Sequence, residues 1–442
     1  MPMSRFAGSG AWPAALVFAA LGVRLFRLTD RYAVNILFWD QWDFDDATLF
    51  EHHTFWEIFR WQHGPHRQGL GGILAALIEP LFRWNSRTEA FVATGMVVIA
   101  GLAMWYLKYR LFGSLAWTDV AIPMIVFSPA QWEPVWNTVN FAHGTLPALL
   151  IILYCLAWTW NDERAKYALI VALNFVTLYT GFGFFIGLLT PVLLFARYRA
   201  ARSAYLLVCT LAAAASLLSF FAGYNNDPSS GCSSLFDATA GDYAGFLALL
   251  YATPFGIRST ALSAILAGGL VLAAVGAIAA VNGKHVLRDF GRARGTPLVL
   301  AILSAYSILF CVSAAVGRAC TGLEQAHTSR YAAYRQLAVL CLYFCALAWR
   351  PPRWRVALPA VLVVLLIPSL FLGSADARDI AAYSDVKKNW RDCYLGGGSI
   401  EVCNDKAGPI YPKPERTHLP RKLDYLRASR QNLFADAPEV RK

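Results

Sequence analysis

Charged residues are scarce in this chain. Asp, Glu, Lys and Arg make up 15% of its 442 residues, while hydrophobic residues make up 57%. Soluble domains carry about 25% and about 45–50% respectively, so two or three water-soluble domains are excluded for want of polar surface. Disorder, collagen and coiled coil are excluded by the same figures. The sequence also has no CxxC pair, no His/Cys array at zinc spacing, no internal repeat and no low-complexity segment. What it does have is aromatic. Phe, Trp and Tyr reach 14%, with 15 Trp, which suits the interfacial belts of a multispan protein. The expected fold class is an all-α polytopic membrane protein.

The formal net charge of +11 is unevenly placed. Basic clusters at 108–110, 164–166, 197–202, 284–294 and 350–355 follow apolar runs, and acidic residues gather at 40–57. That is the positive-inside pattern, so the excess of basic charge does not point to nucleic acid. A hydrocarbon core about 30 Å thick takes about 20 apolar residues per helix. On that rule spans are expected near 11–28, 89–108, 115–130, 141–160, 166–182, 183–197, 204–223, 261–282, 296–316, 333–349 and 355–373, about 11 in all. The basic loops agree on a cytoplasmic N-terminus and an outer C-terminus. Residues 1–23 show no small-x-small cleavage site leading into a soluble domain, so they are read as a helix and not a signal peptide. The chain then divides into a transmembrane module, 1–373, whose first outer loop is 29–88, and an outer C-terminal segment, 374–442.

Five of the nine cysteines, Cys155, Cys209, Cys311, Cys341 and Cys345, lie in apolar runs as small buried hydrophobes. Cys393 and Cys403 lie in the polar tail and are expected to pair if that side is oxidising. Cys232 with Cys320 is a second open pairing.

Chemistry concentrates in the outer segments. Residues 38–46 read Phe-Trp-Asp-Gln-Trp-Asp-Phe-Asp-Asp. Carboxylates can take a proton from an attacking hydroxyl, and the flat faces of Trp39 and Trp42 suit a sugar ring. Asp40 and Asp43 are the favoured catalytic candidates, sharing a face if a helix begins here. The plain alternative is a solvated acidic loop with Trp anchors. Residues 54–61 read as a short interfacial helix. In the turn His63-Gly-Pro-His66-Arg67-Gln68, His66 and Arg67 are candidates for holding an anionic phosphate; an ordinary juxtamembrane turn is the rival. With His52 and His53 nearby a divalent metal is conceivable at this turn but lacks a convincing ligand set, and no cofactor is implied with certainty. Glu133, in the loop 131–140 with two Trp, is a candidate sugar contact. Residues 317–335 place three arginines on the outer side, where few are expected. Arg318 and Arg330 offer planar forks to phosphate oxygens, with Glu324 and Tyr331 as further contacts. The alternative there is an Arg–Glu pair tying two helix ends together.

At these residues the chain resembles the GT-C superfamily, the multispan glycosyltransferases that use polyprenyl-phosphate-linked sugars. The likeness rests on the plan over residues 1 to about 160. An inside N-terminus leads to a first outer loop opening with Trp39-Asp40 and Trp42-Asp43. A juxtamembrane helix, a His/Pro turn and an apolar helix closing at 82–87 follow. Gly317-Arg318 and Ser329-Arg330-Tyr331 are similar to late-loop motifs of bacterial members. An Asp cluster stands where the superfamily usually has an Asp-Glu pair, and Gly-Pro-His stands where some branches have Pro-Pro-Leu. The resemblance implies catalysis by Asp40 or Asp43 and basic residues holding the lipid phosphate. The expected activity is sugar transfer from a polyprenyl-phosphate donor to a periplasmic glycan, lipid or protein acceptor, in a bacterial inner membrane. An O-antigen polymerase or ligase, a lipid-linked sugar flippase and a non-catalytic assembly subunit are the rivals.

Overall fold

Inside a bilayer every backbone N–H and C=O must be paired within the protein, so apolar runs form helices. The computed structural model describes residues 10–45, 53–225, 231–232, 234, 236–290, 295–349, 353–411 and 418–435. Among the described residues six helices are long and apolar enough to cross a membrane: Trp12–Tyr32, Ser86–Phe112, Phe184–Ala201, Leu262–Arg288, Thr296–Thr321 and Ser329–Ala348. A bent pair, Trp354–Leu370 with Ser374–Leu395, would make seven. Shorter apolar helices include Thr145–Trp158 and Ala204–Phe220. Among the described residues the strands amount to one hairpin, Gln62–His63 against His66–Arg67. The protein is an all-α membrane protein.

Burial separates the rim of the bundle from its centre. Only 22% of the apolar window is buried in helices Trp12–Tyr32 and Leu262–Arg288, against 72% in Ser329–Ala348. The first two therefore present apolar faces to lipid, while the last is enclosed by its neighbours.

Two stretches differ from the sequence expectation. Residues 115–130 do not form one span. They fold as a 3-10 turn, Trp117–Val120, a six-residue helix, Ala121–Val126, and a second turn, Pro129–Gln131. Pro129 lacks an amide hydrogen to carry the helix onward, and Asp119 turns inward to a buried ion pair. Residues 224–260, an outer segment on the sequence reading, contain the helix Ala240–Ala252, capped by Thr239 and Asp242. Its 13 residues are too few to register as a span.

The buried pair is Lys108 and Asp119, 2.9 Å apart and 2% and 0% exposed. Asp119 also accepts from Tyr343 and from the backbone amide of Ala116. Such a pair contributes little net stability, but breaking it strands a charge. The Asp119→Ala variant should lose roughly 3–5 kcal/mol, read as a lower melting temperature in detergent, and Asp119→Ala with Lys108→Met should recover most of it.

The C-terminal segment is bonded onto the first loop. Val34, Ile36, Leu37, Phe38, Trp42 and Trp84 share one core with Trp390, Cys403, Ile410, Leu419, Leu423 and Leu426. Asn432 sits at φ +50°. Its amide donates to Arg83 O at 2.8 Å, its side chain donates to Trp84 O and Ser86 Oγ, and its carbonyl accepts from Asn35. Lys387 reaches across to the carbonyls of Trp136 and Asn137. Disulfides join Cys393 to Cys403 and Cys232 to Cys320. The other five thiols are free, four of them buried.

Candidate functional site

Residues 39–45 are shaped by backbone first. Trp39 takes φ +53°, rare for a residue with a Cβ, and the chain then enters the short helix Gln41–Asp45. Gln41 is buried, its amide donating to Glu89 and its carbonyl oxygen accepting from the Phe38 amide. That anchor leaves Asp40 and Asp43 one turn apart and pointing the same way.

Opposite them stands the hairpin. Gly64 takes φ +54° in its two-residue turn, the position glycine fills without strain. The register sets His63 across from His66, and cross-strand partners share a face. His63 thereby reaches both carboxylates, Nε2 lying 3.8 Å from Asp40 and Nδ1 lying 3.9 Å from Asp43. His66 packs edge-on to His143, with ring centroids 4.8 Å apart. Close backbone approach permits this, since a Cβ on Gly181 would fall 2.5 Å from the His143 ring.

Electrostatics divides these groups. Burial opposes protonation of His63, but Asp40 and Asp43 outweigh it and lift its pKa above the ordinary value. Burial likewise disfavours the Asp40 anion, yet His63, with Arg330 and His143 adding to it, brings that carboxyl below its usual range. At Asp43 burial prevails over His63 and the Tyr411 hydrogen bond, and the pKa rises. Burial pushes His66 down to about 4 and His143 well below an ordinary histidine. Both are neutral near pH 7. His66 Nδ1 lies 2.8 Å from Gly181 O, and a carbonyl only accepts, so the proton sits on Nδ1 and Nε2 keeps its lone pair.

The arginines enter from later in the chain. The charges of Arg318 and Arg330 both depress His66, and Arg330 also acts on Asp40. Arg330 is held by Glu133 at 3.0 Å but stays about half exposed. Ser329 fixes that junction, its hydroxyl donating to Ala130 O and accepting from the Glu133 amide. Compared with known protein families, curated proteins and solved structures, this chain matches none.

Several candidates do not join the cluster as free groups. Arg67 is buried and its guanidinium donates to the carbonyls of Arg60, Phe220 and Ala222, so it clamps the hairpin and is not a phosphate ligand. His66, being neutral, cannot supply a positive charge to phosphate. Trp42 is 0% exposed in the shared core, while Trp39 is 40% exposed beside Asp40; only Trp39 can offer a ring face. Tyr331 is buried against Phe182 and Phe310. Glu133 is committed to Arg330, and Glu324 is exposed, with its charge reaching His327. The expected Arg–Glu tie exists, but it joins Arg330 to Glu133.

Three residues outside the candidate set belong to the site: His63, His143 and Tyr411, whose hydroxyl donates to Asp43 Oδ1 at 3.0 Å. His63 was within reach of sequence reasoning, because a His-Gly-Pro-His hairpin turns both rings one way. Nothing in the sequence pairs Tyr411 with residue 43. Asp40, Asp43 and His63 each offer one ligand atom, all within 4.8 Å of one another, a spacing that one divalent cation can bridge.

The His63 contacts carry a pH signature. Its pKa is raised on folding, so the stability they contribute is present below the unfolded value and is lost as pH rises through the folded one. The melting temperature of the wild type should exceed that of His63→Gln most at about pH 6, and the gap should narrow towards about pH 9.

Proposed function

We propose that this chain is a membrane glycosyltransferase of the GT-C kind, moving a sugar from a polyprenyl-phosphate donor to a periplasmic acceptor. The observation that carries the reading is convergence. Two aspartates of the first loop flank His63 within 4 Å, while Arg318 and Arg330, nearly 300 residues later in the chain, act on the adjoining His66. A carboxylate pair beside positive charge is what transfer from a phosphate ester requires. Asp40, the more exposed of the two at 45% against 25%, takes the proton of an acceptor hydroxyl. The acceptor oxygen bonds to the anomeric carbon as its bond to phosphate breaks. The electron pair leaves with the polyprenyl phosphate, whose growing charge Arg330 and Arg318 stabilise. Asp43 holds His63 from the other side, and Trp39 offers a face to the sugar.

The topology that accompanies this reading has about 11 spans, with the N-terminus cytoplasmic and the C-terminal segment periplasmic, in a bacterial inner membrane. The short apolar helices count towards that number. Both disulfides lie on segments assigned to the oxidising side.

The test uses purified protein in nanodiscs with a panel of polyprenyl-phosphate-linked hexoses and pentoses, alongside mass spectrometry of surface glycans with and without the gene. Asp40→Ala should lower transfer by about 10²–10⁴-fold, the usual scale of general-base loss, with expression retained and the melting temperature lowered no further than in His63→Gln. Full activity in both Asp40→Ala and Asp43→Ala would sink the reading. Transfer should survive EDTA near neutral pH, because His63 already stands between the two carboxylates where a cation would sit. Loss of activity restored by Mg²⁺ or Mn²⁺ would reassign the trio to cation binding.

A further inference from the structure

The C-terminal segment makes three bonds to the acidic stretch, and together they bracket it. Ile410 O accepts from the Trp39 amide at 2.8 Å. Lys422 Nζ donates to the Trp42 carbonyl. Tyr411 Oη donates to Asp43 Oδ1 at 3.0 Å. Residues 39–43 are thus held by the tail at the Trp39 amide, the Trp42 carbonyl and the Asp43 carboxylate.

The stretch cannot hold this shape alone. Helix Gln41–Asp45 has five residues, far below the length at which an isolated helix is stable in water. Trp39 sits in a left-handed conformation that persists only where surroundings impose it. The imposing surroundings are the tail: Trp42 is fully buried among Trp390, Ile410, Leu419 and Leu423. The donor end of the tail is itself held. The disulfide Cys393–Cys403 closes the turn between helices Ser374–Leu395 and Ile400–Ala407, and Ile410 follows directly, fully buried. Tyr411 is therefore delivered to Asp43 by a braced segment.

We infer that the C-terminal segment is a structural part of the reaction pocket, and that Tyr411 is a positioning residue that fixes the Asp43 carboxylate against His63. The inference rests on the glycosyltransferase reading of the site. Tyr411 acts through Asp43, whose second oxygen faces His63. Removing the hydroxyl frees the carboxylate to rotate away from the imidazole while leaving the ring in place.

The test compares wild type, Tyr411→Phe, Lys422→Met and Asp43→Asn on the polyprenyl-phosphate sugar that gives the fastest transfer in the panel. Tyr411→Phe should lower kcat about tenfold while leaving the donor KM and the melting temperature at wild-type values, a split that loss of packing alone does not produce. Lys422→Met, which loosens the backbone of Trp42, should lower kcat and melting temperature together. A wild-type kcat in Tyr411→Phe beside an impaired Asp43→Asn overturns the inference and leaves the functional reading standing. A Tyr411→Phe loss confined to KM or to melting temperature overturns it as well. Undiminished transfer in both Asp40→Ala and Asp43→Ala, or no transfer by wild type from any donor of the panel, overturns the reading and the inference with it.

Discussion

The acidic stretch has no stability of its own, and the structure around it answers that constraint. Asp40 and Asp43 lie on a segment too short for a free helix and entered through a disfavoured backbone angle. The shared core of Trp42, Trp84 and Trp390 supplies what local propensity does not. Each indole is almost fully buried, and large aromatic side chains bring the most apolar area per residue to such a junction. First loop and tail, more than 300 residues apart, form one unit over the bundle end. Asn432 and Lys387 add directional bonds whose donors and acceptors would otherwise be buried unpaired.

Within that unit, charge is arranged by neutralisation in stages. Two carboxylates close together repel, and partial burial strengthens the repulsion. His63 stands between them and lowers the cost of keeping both near. Arg330 is in turn balanced by Glu133 on its other side, so its charge is steadied without being enclosed. Beyond these, His66 and His143 are neutral because burial is not offset for them. The result is a gradient from the charged trio to two uncharged imidazoles, with arginine charge at the edge.

Composition and periodicity made the helical membrane class legible, because apolar runs of sufficient length have one way to satisfy their backbone. The lipid-facing helices came through clearly for the same reason. The stretch 115–130 did not, since its hydropathy masks an inward-turned Asp119 whose partner, Lys108, is one of the residues that mark a basic loop. Asp40 and Asp43 stood out because carboxylates among aromatics are costly beside lipid. Trp42 and Tyr331 carried the same aromatic signal as Trp39, yet burial separates them. Arg67 carried the same guanidinium as Arg330, yet it is buried and three carbonyls take its terminal nitrogens. Residue type announces capacity for a contact, and the fold decides where that capacity goes.

The cysteines bear on orientation independently of the basic loops. Cys155, Cys209, Cys311, Cys341 and Cys345 lie in the apolar bundle and remain thiols. The four paired ones lie in the C-terminal segment, in the stretch before Ala240–Ala252 or, for Cys320, at the last turn of Thr296–Thr321: Cys320 is two residues from Arg318, and the Cys393–Cys403 staple leads into Ile410 and Tyr411. Disulfides persist where the surroundings oxidise. An arginine and a tyrosine so close to such bonds are consistent with the proposed pocket on the oxidising side. Charge bias and thiol chemistry obey unrelated physics, and both fit the proposed orientation in which residues 39–43 face the oxidising side.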